Sequence, residues 1–267
     1  MAILLFSAAF PVQAGILGAD DTIIEKTEYG EIDWVSGIIR AKGAVEEAPG
    51  DATTNVAVKK LKILRMAKMN AMRNIIEGMK SIRVDAGSTI GNYMEGSDYI
   101  RKKMHAIVRK AKIVEKNDIS DGGIEIGIEL PLKGLLMETM IQNSSDVEIS
   151  ISGEELYTGL VVDATGLDIN PALSPKIVDE NGREIFGASY AKRGALLAKG
   201  LVAYSSKVSY AETDSRVADN PLIVRGLRKS GIHGTNVVIS REDGAKIKNT
   251  DSNLNWLTEC RVIIVID

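Results

Sequence analysis

Three observations in the sequence predict an α+β fold with two small domains. Residues 53–81 repeat apolar side chains every three or four positions, the spacing of one face of a helix. Segments on both sides are rich in β-branched residues or alternate apolar and polar side chains, as strands do. The chain of 267 residues is long enough for two modest cores. We therefore expect two mostly antiparallel or mixed sheets covered by helices, the first of them by one long amphipathic helix.

Residues 1–14 have the pattern of an export signal. An apolar run over residues 2–10 precedes Pro11, and Val12-Gln-Ala14 is a cleavage site of the small-x-small type. No positive charge follows the first methionine, which leaves open a start upstream. The alternative is a buried N-terminal strand or helix. Export with cleavage before Gly15 predicts a protein of the periplasm, and association with the outer membrane stays open.

The first domain is expected to span residues 15–145. Its long helix should begin at an N-cap supplied by Thr53, Thr54 or Asn55. The side chains expected to face inward are Ala57, Leu61, Leu64, Ala67, Ala71, Ile75 and Met79, with Asn70 and Asn74 on the opposite, polar side. The other predicted elements are a bent strand over 32–45, a helix from Ser97 or Asp98 to Ile107 with Tyr99, Ile100, Met104 and Ile107 inward, strands over 108–115 and 124–132 joined as a hairpin, and a short helix over 133–141.

The second domain is expected to span residues 146–267. Asn181-Gly182 is its best hairpin signal, because this pair readily adopts the positive φ values of a tight turn. Ser240 is expected to cap a helix over 241–248. The run over 260–266 is apolar on both faces, which predicts a central strand. Further strands are predicted over 157–163, 175–178, 183–186, 200–209, 222–227 and 235–239.

Composition and motifs argue against several function classes. The net charge of −3 gives no overall basic field, so binding to nucleic acid is not expected. Two histidines and one cysteine, Cys260, cannot form a structural zinc site or an internal disulfide. Neither a Walker sequence nor a Gly-x-Gly-x-x-Gly run after a strand is present. We therefore predict no catalytic residues, no cofactor and no metal.

Two chemical alternatives stay open at this stage. His233 lies in a glycine-containing loop and could serve a hydrolase together with Asp163 or Asp179, although no Gly-x-Ser-x-Gly sequence presents a serine. The oxygen-rich turn around Asp179, Glu180 and Asn181 could bind calcium, although its spacing is not that of a known calcium loop.

Basic residues along the long helix are the candidate interaction site. They are Lys59, Lys62, Arg65, Lys68 and Arg73. One interpretation is a cationic surface that faces an anionic envelope surface or an acidic neighbour, and the other is a solvated helix face. Arg65 and Lys68 fall inside the predicted apolar arc. A charge there must be paired, extend to solvent or meet a partner subunit.

The sequence also resembles a group of envelope proteins. Trp34-Val-Ser-Gly-Ile-Ile-Arg-Ala-Lys-Gly43, the Ala-rich helix and Lys110-Ala-Lys-Ile-Val114 resemble the N-terminal half of the LPP-type outer-membrane lipoproteins and the related N-terminal domain of flagellar assembly protein T. Tyr157-Thr-Gly-Leu-Val-Val-Asp-Ala164 and Asn220-Pro-Leu-Ile-Val224 resemble the C-terminal half of exported bacterial proteins of that group. The chain departs from the lipoprotein members in having Gly15 where they carry an acylated cysteine.

The resemblance implies a protein that works by assembly, in some relatives within rings or discs around the flagellar motor. We therefore expect a non-catalytic structural or assembly protein of the periplasm or outer membrane that acts as a homo-oligomer or with an envelope protein partner. Association with the flagellum stays open. The alternative is a periplasmic protein that binds an envelope glycan, lipid or peptide in a cleft between its domains.

Overall fold

The computed structural model describes residues 21–46, 55–119, 122–141, 157–248 and 251–267. It confirms the α+β fold, with two sheets that each pack against helices. The predicted export signal, residues 1–14, and the predicted boundary at 145/146 lie outside the described residues.

The first sheet is antiparallel throughout. Its strands are β1 (Ile24–Thr27), β2 (Gly30–Asp33), β3 (Ile38–Val45), β4 (Lys112–Ile119) and β5 (Gly123–Pro131), in the order β1-β2-β3-β5-β4. The single bent strand predicted over 32–45 is wrong, because a turn separates β2 from β3. In that turn the Asp33 carboxylate accepts the backbone N–H groups of Val35 and Ser36, both at 3.1 Å, and Gly37 has φ 65°.

The long helix, α1 (Val56–Lys80), lies on one face of this sheet. Asn55 is its N-cap, and its side chain accepts the N–H of Ala57 at 2.8 Å. The helix approaches β3 very closely, since a Cβ added to Gly43 would lie 2.1 Å from the backbone nitrogen of Ala71. The buried residues of α1 are Ile63, Ala67, Ala71, Ile75, Gly78 and Met79.

The predicted inward face of α1 is therefore partly wrong. Ala57 and Leu61 are exposed, and Leu64 is only half-buried. The close contact at Gly43 turns Ala67 and Ala71 towards the sheet. The residue four positions before Ala67 on the same helix face is Ile63, so Leu61 points elsewhere.

Among the described residues of the first half there are three shorter helices: α2 (Ile90–Gly96), α3 (Asp98–Val108) and α4 (Leu135–Met140). Ser97 caps α3 as predicted, but Tyr99, predicted to face inward, is 62% exposed. The strand predicted over 108–115 starts at Lys112 instead, because α3 continues to Val108. It also runs on to Ile119, into the predicted turn.

The second sheet is mixed. Its strands are β6 (Gly159–Asp163), β7 (Ile177–Asp179), β8 (Glu184–Phe186), β9 (Ala203–Ser205), β10 (Pro221–Ser230), β11 (Asn236–Ile239) and β12 (Val262–Val265), in the order β8-β7-β11-β10-β6-β12-β9. β12 pairs in parallel with β6 and β9, and all four of its residues are buried, as the apolar run predicts. In the hairpin of β7 and β8, only Gly182 of the Asn-Gly pair has a positive φ, 79°.

Helices of the second half are α5 (Arg193–Lys199), α6 (Val208–Ala211), α7 (Arg241–Lys248) and α8 (Asp251–Thr258). Ser240 caps α7 as predicted, because its hydroxyl oxygen accepts the N–H of Asp243 at 3.0 Å. Of these four helices, the sequence predicts only α7. In the part of the chain described here, no helix has both the length and the apolar character that crossing a membrane requires.

The two halves are joined by backbone hydrogen bonds and one continuous apolar core. Leu173 N–H donates to the Arg83 carbonyl at 3.0 Å, and Ser174 N–H donates to the Val84 carbonyl at 2.7 Å. The Arg83 guanidinium donates to the Pro171 carbonyl at 2.8 Å and also pairs with Glu25. These contacts fix one sheet beside the other.

Candidate interaction surface on the long helix

The side of α1 that faces away from the sheet exposes several large apolar side chains. We call this side the outer surface of α1 and define it by Val58, Leu61, Lys62, Arg65, Met66, Met69 and Arg73. Leu61 is 66% exposed, Met69 53%, Met66 48% and Val58 45%. Singly exposed apolar residues are common on proteins, but several within three turns of one helix make this side a candidate interaction surface.

The charge of α1 has one sign over most of its length. From Val56 to Ile76 the helix carries six basic residues and no acidic one, and its first acidic residue is Glu77. Helices that only keep a solvated face usually alternate charges at i and i+4, which this one does not. The outer surface of α1 is therefore both apolar and cationic.

The five predicted interaction residues do not all lie on the outer surface. Lys62, Arg65 and Arg73 are exposed on it, whereas Lys59 and Lys68 are half-buried at its flanks. Within the described residues Lys62, Arg65 and Lys68 form no ion pair, while Arg73 donates to the Asn70 side chain at 3.4 Å. The placement of Arg65 in the inward arc is wrong, because the buried row runs through Ile63, Ala67 and Ala71.

Two asparagines hold α1 in its orientation. The Asn70 side-chain amide donates to the Ala44 carbonyl at 3.0 Å, and that of Asn74 donates to the Lys42 carbonyl at 2.7 Å. The sequence pattern places both residues on the polar, outward side, and this placement is wrong. They act instead along the margin of the helix, where they bind the backbone of β3. The outer surface is thus presented by a helix whose rotation is fixed.

The opposite face of the first sheet is charged but internally neutralised. Lys42 pairs with Glu115 at 2.9 Å and Glu125 at 3.1 Å, and hydrogen bonds to these two carboxylates raise the pKa of the Lys42 amine. Arg40 lies 3.7 Å from Asp33 and 3.8 Å from Glu129. Arg40 and Lys42 therefore have acidic neighbours, whereas Lys62 and Arg65 form no ion pair within the described residues.

The geometry does not assemble a catalytic group around His233. Its backbone N–H donates to the Ala86 carbonyl at 2.9 Å, but among the described residues its ring has no hydrogen-bond partner. Asp163 binds Thr165 at 2.7 Å and also Arg225; burial alone would raise its pKa, but these hydrogen bonds outweigh burial and lower it. Asp179 accepts the N–H groups of Asn181 and Arg183 at 2.9 and 2.8 Å. Neither carboxylate orients the imidazole.

The turn considered for calcium uses its carboxylates in the same way. Glu180 accepts the Arg241 N–H at 3.1 Å, and Asp179 is occupied as described above. Among the described residues, no group of three histidine, cysteine or acidic side chains is placed to hold a metal ion.

Comparison with known proteins bears on the second half of the chain. A family model described as the second domain of Tp0624 of Treponema pallidum matches residues 159–267, which include every strand of the second sheet. No curated protein matches the chain. The second half of this chain is thus similar to the second domain of that Treponema protein.

Proposed function

We propose that this protein is a non-catalytic assembly protein of the bacterial cell envelope, located in the periplasm or at the outer membrane. It docks through the outer surface of α1 onto an acidic partner. The resemblance to LPP-type lipoproteins and to flagellar assembly protein T supports the envelope setting and makes flagellar structures one candidate site of assembly. The observation that carries the proposal is the outer surface itself, where Leu61 and Met69 stand exposed beside Lys62 and Arg65, which form no ion pair within the described parts of the chain.

Exposed apolar side chains supply the favourable energy of docking. Fully burying a leucine or methionine that is otherwise exposed contributes about 1.5–3 kcal/mol. Val58, Leu61, Met66 and Met69 together could thus stabilise a complex substantially, even after the cost of association. Because methionine adapts its shape to irregular neighbours, it suits such a surface.

The cations of the outer surface determine the sign of the partner. Lys62 and Arg65 would form ion pairs with an acidic surface and accelerate its encounter. Two outer surfaces from two copies of this chain would instead place cations against cations. A homo-oligomer that uses this surface must therefore join it to a different, acidic surface of the next copy.

Photo-crosslinking in the bacterium that encodes the protein tests the proposal. A photoreactive amino acid placed at Leu61 should give one discrete adduct, whereas the same group at Tyr99, exposed on α3, should not give that adduct. The double change Lys62→Glu and Arg65→Glu should abolish the adduct because it reverses the charge that attracts the partner.

The matched control is Lys102→Glu with Lys103→Glu, which makes the same change of net charge on exposed residues of α3. This control should leave the adduct at Leu61 intact. The proposal is wrong if Leu61 gives no adduct of its own, or if both double variants reduce it equally.

The alternative function, binding of a small envelope ligand, is favoured by one separate observation. A cleft of about 880 Å³ opens between the two halves of the chain. Binding of a ligand in this cleft would not depend on α1.

A further inference from the structure

The cleft between the two halves has the size of a small-molecule site. Its volume of about 880 Å³ lies within the range of about 300–1,000 Å³ that is usual for ligand pockets. The first half contributes Trp34 and Lys133 to its lining, and the second half contributes Lys199, Val202, Tyr204 and Tyr210. Any ligand held there would contact both halves of the chain.

The floor of the cleft is apolar because its polar atoms are already used. The rings of Trp34 and Tyr204 pack edge to face with centroids 5.8 Å apart. The Tyr204 hydroxyl accepts the Ala172 N–H and donates to the Ala172 carbonyl, both at 2.9 Å, and the Trp34 indole N–H donates to Glu25 at 2.9 Å. Trp34 and Tyr204 are only 4% and 5% exposed, so the floor offers a ligand a small apolar surface and no free hydrogen-bonding group.

The acidic residues of the cleft are also occupied. Asp21 accepts the Ser205 hydroxyl at 2.8 Å and the Ser206 N–H at 2.7 Å, while Asp214 accepts the backbone N–H of Arg216 at 2.7 Å. Their carboxylates are thus used in holding the walls of the cleft.

A half-buried arginine, Arg216, adds positive charge to the wall. The Arg216 guanidinium donates to the carbonyls of Lys199 and Cys260, both at 2.8 Å, and of Gly200 at 2.7 Å. Because burial penalises the charged form, its pKa is lowered to about 10, so it still carries its charge at neutral pH.

Two lysines of the cleft remain available. Lys133 and Lys199 are both exposed, and neither forms an ion pair or a side-chain hydrogen bond within the described parts of the chain. The basic residues that line the cleft, Lys133, Lys199 and Arg216, outnumber its two carboxylates, so the cleft favours a negatively charged group beside an apolar one.

We propose that the cleft binds a small amphiphilic anion. Its apolar body rests on the floor formed by Trp34 and Tyr204, and its carboxylate or phosphate head is held by the amines of Lys133 and Lys199. This site is separate from the outer surface of α1. A negative result for the binding site would therefore leave the proposed assembly function untouched, and the reverse also holds.

Calorimetric titration of the purified protein with three probes that share one alkyl chain tests the site. Dodecanoate and dodecyl phosphate, kept below their micelle concentrations, should bind saturably, and dodecyltrimethylammonium should bind at least tenfold more weakly. The tighter of the two anions tells whether a carboxylate or a phosphate head fits better.

Two kinds of variant locate the binding. Lys133→Gln with Lys199→Gln should weaken binding of the anions about tenfold, whereas Lys102→Gln with Lys103→Gln, on α3, should leave it unchanged. Val202→Trp, which narrows the cleft while keeping its charges, should weaken binding of both anions as well. Equal binding of the cationic and anionic probes, no saturable binding, or equal affinity of the two lysine double variants would overturn the proposal.

Discussion

The inner and outer sides of α1 differ in a way that separates folding from function. On the inner side, Ala67 and Ala71 are small, and they let the helix backbone approach Gly43 of β3. On the outer side, Leu61 and Met69 are large, and more than half of each is exposed. The fold accounts for the inner residues completely. It gives no account of the outer ones, which is why we assign them to docking.

The largest expected effect follows from filling the closest contact of the inner side. Gly43→Val should destabilise the protein by more than about 3 kcal/mol, because its Cβ would lie 2.1 Å from the Ala71 nitrogen and 2.5 Å from the Ala67 carbonyl oxygen. Urea denaturation monitored by circular dichroism measures this. Gly96→Ala, where an added Cβ meets nothing within 4 Å, is the control and should cost less than about 0.5 kcal/mol. Similar midpoints for the two variants would show that α1 does not sit on β3 as described.

A cavity on the inner side should have the next largest effect. Ile75→Ala removes a fully buried side chain and should cost about 3 kcal/mol, whereas Leu61→Ala on the outer side should cost less than about 0.5 kcal/mol. Both free energies of unfolding come from the same denaturation experiment. If Leu61→Ala lowered the free energy of unfolding as much as Ile75→Ala, the assignment of Leu61 to the outer side of the helix would be wrong.

The hydrogen bonds at the margin of the helix should have a smaller effect. Asn74→Ala removes the bond to the Lys42 carbonyl at 2.7 Å and should cost about 1 kcal/mol. Asn92→Ala, in the cap of α2, offers a comparison of similar size at a distance from β3. Hydrogen exchange of the β3 amides should accelerate in Asn74→Ala and not in Asn92→Ala. Equal exchange rates in the two variants would contradict the role of Asn74 in holding α1 on β3.

Cys260 should report whether the two halves unfold together. Burial raises the pKa of its thiol to about 11, so at pH 8 the thiolate is scarce and the buried sulfur should resist alkylation. Because the apolar core is continuous, Ile75→Ala in the first half should raise the alkylation rate of Cys260 in the second. An unchanged rate in a variant that is measurably destabilised would show that the halves unfold separately.

How well the sequence predicts an element depends on whether that element is long and regular enough to show its own pattern of apolar and polar residues. β5 alternates along one half-covered sheet, and β12 is apolar on both faces, so each carries its own signal. The helices α5 and α6, with seven and four residues, are too short for periodicity to reveal. For α2, Thr89 and Asn92 form a capping box in the structure, but the usual sequence signature has Glu or Gln at the second position, so the sequence signal is weak.

The candidate surface was only half predictable for a related reason. Its cations are evident from the sequence, because six basic residues precede the first acidic one in α1. Its apolar residues are not, since either Ile63 or Leu61 could belong to an inward row. The choice depends on contact with Gly43, a residue of a different element. Periodicity gives the existence of a face, and tertiary packing gives its direction.

Thiol labelling at one position tests the docking of the outer surface most directly. Leu61→Cys should react quickly with a maleimide in the purified protein, as should the control Tyr99→Cys, while Cys260 stays unreactive. In intact envelopes of the native bacterium, we predict that Leu61→Cys is protected and Tyr99→Cys is not. Equal labelling of both positions in the envelope would contradict the assignment of this surface to a partner.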